Sequence, residues 1–353
     1  MSKHILVAGA TGKQGRALIE ALRPTSDSDD IPFRVLALTR SASSPNAQRL
    51  VQERHVQVVE GDLDSPESMR KVYEDAKGSG GIWGVFCVLA FPGLGANADG
   101  EERQGKFMAD LALEYGVSVY IYSTAERGGE QSDEMEKLSG RAKVLAERHV
   151  QALGERGLPW TILRPGFFLD NYDDFIGSIT VAVMTRGLKE DSKLGVIDPK
   201  DIGHVAAAVF KVKHFRQEKH QQQLTVQWKN PEKYKHQILV VIGDVLTMSE
   251  QHASYKRATG RTLPSIPGFL ATIILALNKS TQELVQHFEN IHTARTTGQH
   301  EHFESQLNLS HEAYPQMKTV YDWAVEQQKN QGRQENAADW NKVSLWRLML
   351  GKS

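Results

Sequence analysis

Short runs of apolar, β-branched residues alternate with helical patterns through the first half of the chain. His4-Ile5-Leu6-Val7-Ala8 reads as a first strand, Phe33–Thr39 as a second and Val56–Glu60 as a third. Val85–Ala90, Val117–Tyr122 and Trp160–Leu163 supply a fourth, fifth and sixth. Helical spacing fills the gaps at Arg16–Leu22, Pro66–Ala76, Arg103–Tyr115 and Glu136–Arg156. Strands that are apolar almost throughout, separated by helices, call for a parallel sheet covered on both faces. Right-handed crossovers then make an α/β, doubly wound parallel Rossmann-type sheet.

Past Pro165 the rhythm loosens. Asp198–Gly203 starts a helix that runs to Val212, and a polar stretch from Lys213 to Gln237 holds one candidate strand, Leu224–Trp228. A strand at Gln237–Ile242 and helices at Ser249–Thr259, Gly268–Leu277, Thr281–Asn290 and Ser310–Gln328 follow. The expected organisation is a nucleotide domain over 1–165, with 195–212 packed on it, a smaller and mostly helical domain over 166–330, and a tail over 331–353. That tail is polar up to Trp340, Leu345, Trp346, Leu348, Met349 and Leu350, which leaves three uses open: disordered, docked on the body, or held by a partner. The longest apolar run, Ile266–Leu277, is shorter than the ~20 residues that span a bilayer and reads as a core helix.

Composition narrows the function classes. The 353 residues are 40% hydrophobic and 24% charged, with a formal net charge of -1, so nothing global draws the chain to nucleic acid or anionic lipid. The single cysteine, Cys87, sits in an apolar strand and offers no intrachain disulfide, which fits a reducing compartment. The N-terminus has no long apolar core of a signal peptide. His300-Glu301-His302 has two ligand-type residues at i and i+2 without a third or fourth, so no metal is expected.

The strongest chemical signal follows the first strand. Gly9-Ala10-Thr11-Gly12-Lys13-Gln14-Gly15 opens directly onto a helix. Free N–H groups and a partial positive charge at a helix start, with glycines that admit a close phosphate, suit a dinucleotide pyrophosphate. The second strand ends at Thr39-Arg40-Ser41, where an NAD site wants an acid for the ribose 2′-hydroxyl. Arg40 and Ser41 are donors instead, suited to a 2′-phosphate, and Lys13 adds charge on the same side; NADP(H) is therefore expected. Asp62 is either an adenine ligand or a turn aspartate before the next helix. Phe91, at the carboxyl edge of the fourth strand, is expected to flank the cofactor, and Phe167, Phe168 and Asn171, past the sixth, to line the other side of the cleft, although the two phenylalanines Phe167 and Phe168 also suit inter-domain packing.

GATGKQG after a strand, Thr39-Arg40-Ser41, Gly61-Asp62-Leu63, Asp201-Ile202-Gly203, and above all Thr161-Ile162-Leu163-Arg164-Pro165-Gly166-Phe167-Phe168 with Asn171 resemble the NmrA-like group of atypical short-chain dehydrogenases. The resemblance covers most of residues 4–330. It implies an NADP-preferring Rossmann domain, a smaller C-terminal domain and a cleft between them. It also implies one of two activities: some members sense the NAD(P) ratio and bind transcription factors, while isoflavone-reductase-like relatives transfer hydride and use a lysine for acid–base work. The stretch 213–237 and the tail depart from the pattern.

A short-chain dehydrogenase normally pairs a serine with YxxxK, its phenol activated by the lysine ammonium. Here the fifth strand ends at Ser123, and the next helix carries Ser139-Gly140-Arg141-Ala142-Lys143. Lys143 is in place, but Ser139 stands where the tyrosine belongs, with a shorter reach and a much less acidic hydroxyl. Lys143, Ser123 and Ser139 are the candidate catalytic set. Lys143 also suits the nicotinamide ribose, or solvent. Tyr120 and Tyr122 are expected in the core. Two readings follow: an NADP(H)-binding redox sensor acting through a protein partner such as a transcription factor, and an NADPH-dependent reductase of a small organic substrate. Both imply a cytoplasmic protein, and the sensor reading extends this to the nucleus. Neither involves nucleic acid directly or a membrane.

Overall fold

The computed structural model describes residues 2–24, 32–211 and 231–330. The strand expected at Leu224–Trp228, the helix end at Val212 and the tail from Gln331 lie outside those residues.

The nucleotide side opens with β1 (Lys3–Ala8), α1 (Lys13–Ala21), β2 (Phe33–Thr39), the unexpected short α2 (Pro45–Leu50), β3 (Val56–Glu60), α3 (Pro66–Lys77), β4 (Ile82–Val88), α4 (Asp99–Glu114) and β5 (Val119–Ser123). Next come α5 (Leu138–Glu155), β6 (Trp160–Pro165), the two-residue β7 (Phe167–Phe168), α6 (Asp174–Gly187), β8 (Lys193–Ile197), α7 (Pro199–Phe210), β9 (Gln237–Val241) and β10 (Asp244–Thr247). Five helices close the described chain: α8 (Met248–Thr259), α9 (Gly268–Leu277), α10 (Lys279–Thr296), α11 (Phe303–Ala313) and α12 (Val320–Asn330).

Seven strands make one sheet in the order β3-β2-β1-β4-β5-β6-β9. Every pairing in it is parallel. The chain thus steps outward on one side of β1 and then crosses to the other. The crossing puts the switch point between the carboxyl ends of β1 and β4, where such sheets open a ligand crevice. One face of the sheet packs Ile5, Val7 and Phe86 against Leu18, Ile202 and Phe210 of α1 and α7. The other packs Leu6, Cys87 and Tyr122 against Met69, Met108 and Val150 of α3, α4 and α5. Helix starts are marked in the sequence by side-chain caps: Ser65 accepts from the Ser68 amide, Asp198 from Lys200, and Thr247 forms a reciprocal box with Glu250.

Several expectations are modified. The strand at 237–242 forms, but as β9 it joins the large sheet beside β6 rather than the C-terminal region. A second sheet, β10-β8-β7, lies in the region read as mostly helical. The helix expected over Ser310–Gln328 is two, interrupted around Pro315, whose ring cannot continue an α-helical ladder. Helix α6 was not anticipated, because its Ile, Thr and Val content reads as strand. The core helix expected at 266–277 is only half a core helix: α9 buries Ala271 and Ile274 but exposes Phe269 and Leu277.

The motif residues have packing roles. Gly203 lets α7 approach α1, since a Cβ there would lie 2.6 Å from Ala17 Cβ. Asp201 is fully buried and accepts from the Lys318 amide at 2.6 Å. In the Thr161–Gly166 run, Thr161 Oγ1 donates to the Tyr234 carbonyl at 2.8 Å, and Gly166 leaves room for the Gly195 carbonyl, 2.5 Å from where a Cβ would stand.

Candidate functional site

The glycine turn sits at the switch point. Gly9 has φ of 82°, in the left-handed region, and a Cβ on it would come within 2.6 Å of the Val88 carbonyl oxygen at the end of β4. A Cβ on Gly15 would collide with the Gly9 carbonyl oxygen. Gly12 is the N-cap of α1 and brings no side chain to the first-turn amides. Those N–H groups therefore have no helical acceptor and point, with the positive end of the helix dipole, into the crevice. The cradle has the shape a pyrophosphate needs: backbone donors, and space a Cβ would fill.

Not every loop residue is placed as expected. Gln14 is buried, and its Oε1 accepts from Ser123 Oγ at 2.7 Å, so Ser123 ties the end of β5 to the first turn of α1. Lys13 does not lie toward Arg40. Its Nζ is 2.6 Å from Asp170 Oδ2, across the crevice on the short turn after β7. Burial pushes the Asp170 carboxyl up against the opposing pull of Lys13, and burial plus the Asp170 charge pushes Asp173 up to about 7. These acids were missed in the sequence, where Asp170-Asn171-Tyr172-Asp173 resembles an ordinary polar turn. Thr11 is half-buried within the loop.

At the end of β2, Arg40 is exposed and adds its charge to the hydrogen bonds from Arg103 and Gln104 that hold the Asp64 carboxyl low. Ser41 Oγ lies 2.9 Å from Ser43 Oγ. The nearby acid is Glu60 at the end of β3, and its Oε1 is occupied by the Ala42 amide at 2.7 Å. Asp62 Oδ1 accepts from the Asp64 amide at 3.0 Å, as a turn aspartate does, which leaves Oδ2 as the second acceptor oxygen.

Lys143 lies with partners that the sequence did not reveal. Its Nζ pairs with Glu101 and donates to Ser139 Oγ at 2.6 Å, and Ser139 Oγ in turn donates to Glu101 Oε2 at 2.5 Å. The Glu101 side chain is 4% exposed and that of Lys143 16%. Glu101 stands in the first turn of α4, where an acid is expected merely to complement the helix dipole, so its sequence position gives no sign of this role. The three groups form a closed, mutually satisfied set. Phe91 covers its outer side, 60% exposed, with the ring centroid 5.9 Å from Lys143 Nζ. Ser123 donates elsewhere and does not join the set. Tyr120 and Tyr122 are buried, and burial pushes both phenols well above their ordinary range. The Cys87 thiol is likewise pushed up, to about 12.

Phe167 is partly buried and makes packing contacts. Its ring packs 5.4 Å from Phe288 and 5.5 Å from Tyr172, inside the C-terminal apolar cluster. Phe168 packs on the sheet core.

Under the site lies a charged knot. Glu147 is 1% exposed and is held by Arg127 through two bonds of 2.7 and 2.6 Å and by Arg164 Nη2 at 2.6 Å. Burial would raise its carboxyl, but the two guanidiniums hold it well below the usual carboxylate range. Arg164, the most distinctive residue of the Thr161–Gly166 run, is thus a buried brace between β6 and α5. His300 is also buried, with Nδ1 3.2 Å from Glu126 Oε1. Among the described residues no helix is long and apolar enough to cross a membrane.

The sequence profile of the NmrA-like family matches residues 1–324. The chain is 27% identical over 205 residues to the (4-alkanoyl-5-oxo-2,5-dihydrofuran-3-yl)methyl phosphate reductase of Streptomyces griseus, covering 58% of this chain and 62% of that one. It is 28% identical over 205 residues to the NAD(P)H azoreductase of Xenophilus azovorans, covering 57% and 61%. The match therefore spans about three-fifths of the length of these curated relatives. Among solved structures, the negative transcriptional regulator NmrA in complex with NADP superposes with a TM-score of 0.59 at 18% identity, covering 96% of this chain and 99% of that one. An NADPH-dependent quinone oxidoreductase from Escherichia coli also gives 0.59 at 18% identity, covering 92% and 99%.

Proposed function

Because the chain belongs to the NmrA-like family, we propose that it binds NADP(H) at the glycine turn and serves as a sensor of the cofactor's redox state, read out by a protein partner. The observation that carries this reading is the closed set Glu101–Ser139–Lys143. The position that should hold a proton-donating tyrosine holds Ser139, and both its hydroxyl and the Lys143 ammonium are committed to a buried carboxylate. Neither Tyr120 nor Tyr122 replaces it, since both are enclosed in the core.

Cofactor binding rests on the Gly9–Gly15 cradle, the bare N-terminus of α1 and the donors at the end of β2. The backbone amides would hold the pyrophosphate, and Arg40 with Ser41 the 2′-phosphate. When bound, NADPH supplies a transferable hydride. On this reading 1–165 holds the dinucleotide, 166–330 forms the wall that a partner reads, and the working location is the cytoplasm, with the nucleus added where the partner is a transcription factor.

A second reading, an NADPH-dependent reductase of a small organic substrate, is favoured by one feature: Lys143 keeps some exposure beneath the exposed Phe91 ring. Here the ammonium would orient a substrate oxygen and pass it a proton, with Glu101 holding the lysine in place. Titration with NADP, NADPH and NAD, followed by stopped-flow turnover on carbonyl and alkene panels, separates the readings. The sensor reading expects NADP(H) binding without turnover. Rapid NADPH oxidation on any panel member replaces it with the reductase, and failure to bind any dinucleotide ends both.

A further inference from the structure

Helix α9 presents an apolar face with nothing on it among the described residues. Phe269 is 65% exposed, Leu277 64% and Ile273 47%, and Leu270 joins them. At 100° per residue these four positions fall within one sector of about 100°, so they form a continuous stripe. The opposite face is already used: Ala271 and Ile274 pack on α6 and α10. Phe175, at the start of α6, is exposed as well, and α6 is bound to the segment before α9 by the Ile266 amide on the Ser178 carbonyl at 3.2 Å. A strip of five large apolar side chains is more than a soluble chain usually leaves bare.

The end of α12 lies at one end of this strip. Gln327, within the last turn before Asn330, has its Nε2 3.4 Å from Asp173 Oδ2, and Asp173 is the residue on which α6 begins, two before Phe175. The described chain therefore ends, at Asn330, less than one turn past a contact with the start of α6. Residues 331–339 are polar or small, and 340–350 then bring Trp340, Val343, Leu345, Trp346, Leu348, Met349 and Leu350. Nine residues reach up to about 30 Å, twice the ~15 Å length of a ten-residue helix such as α9. The described chain ends near the Phe175 end of the strip, the strip's length lies within the reach of nine residues, and residues 340–350 are rich in apolar side chains.

We propose that residues 340–350 cover the outer face of α9 and Phe175 within the same chain. The proposal is independent of the cofactor reading.

The test uses the full chain carrying Ile273→Cys. Cys87 is fully buried, so a benzophenone maleimide labels position 273. After illumination, cross-linked peptides are mapped by mass spectrometry. The expected result is a cross-link inside one chain to residues 340–350, reduced at least five-fold by a second change, Trp346→Asp. A chain ending at Asn330 should bind an apolar dye at least two-fold more strongly than the full chain. If that truncation fails to fold, Trp346→Asp in the full chain gives the same dye readout. Cross-links to a second copy, cross-links to none of residues 340–350, or unchanged dye binding would overturn the proposal.

Discussion

The Glu101–Lys143 pair offers a direct check on whether the lysine is committed or free. Replacing Glu101 by Gln leaves an ammonium whose side chain is 16% exposed and which can turn toward water, at a cost of about 2 kcal/mol. Replacing Lys143 by Met leaves a carboxylate that is only 4% exposed, with Ser139 as its remaining donor, and should cost more, about 3 kcal/mol. The double variant removes both charges and should cost about 3 kcal/mol rather than the sum of about 5, a coupling energy of about 2 kcal/mol. Urea denaturation of the four proteins at one pH gives the cycle. A coupling below about 0.5 kcal/mol would mean that the pair does not hold Lys143, and the argument for an idle proton-donor position would lose its basis.

Three further outcomes follow from the same geometry. Glu147→Ala leaves Arg127 and Arg164 buried without their shared anion and should cost at least about 3 kcal/mol by denaturation, while an exposed change such as Glu134→Ala should leave the urea midpoint almost where it is. Gly15→Ala places a Cβ against the Gly9 carbonyl oxygen, so it should weaken NADPH at least ten-fold in calorimetry; unchanged affinity would show that the turn does not hold the cofactor. Asp173, pushed up to about 7 by burial and by Asp170, keeps a proton in the folded chain that the unfolded chain releases near 3.8. Stability should therefore fall as pH rises from about 4 to about 7, by up to ~4 kcal/mol, and Asp173→Asn should flatten that slope; an unchanged slope refutes the assignment.

The parallel sheet was legible because its signal is local. Strands β2 and β3 coincide with their apolar runs, and Gly9 and Gly15 each meet a backbone constraint that glycine satisfies and a Cβ would not. What the sequence concealed depends on contacts between distant residues. Glu101 lies 42 positions from Lys143, and Asp170 meets Lys13 only after the chain has built seven strands. Ser123 occupies the expected strand end, yet Gln14 takes its hydroxyl. The position of Phe167 after β6 suits either the cofactor wall or packing, and only the contacts of its ring with Tyr172 and Phe288 reveal the packing. The α9 run misled through composition: an apolar helix looks internal even when only one of its faces is packed.

The central claim is that the crevice above Gly9–Gly15 takes NADP(H) through Arg40. Isothermal titration of NADPH and NADH into the native protein and Arg40→Ala tests it most directly. A charge-assisted contact to a 2′-phosphate is worth about 1.5–3 kcal/mol, so Arg40→Ala should weaken NADPH by about 10- to 100-fold and NADH by less than about three-fold. Equal losses for the two cofactors, or no binding of NADPH by the native protein, would contradict it.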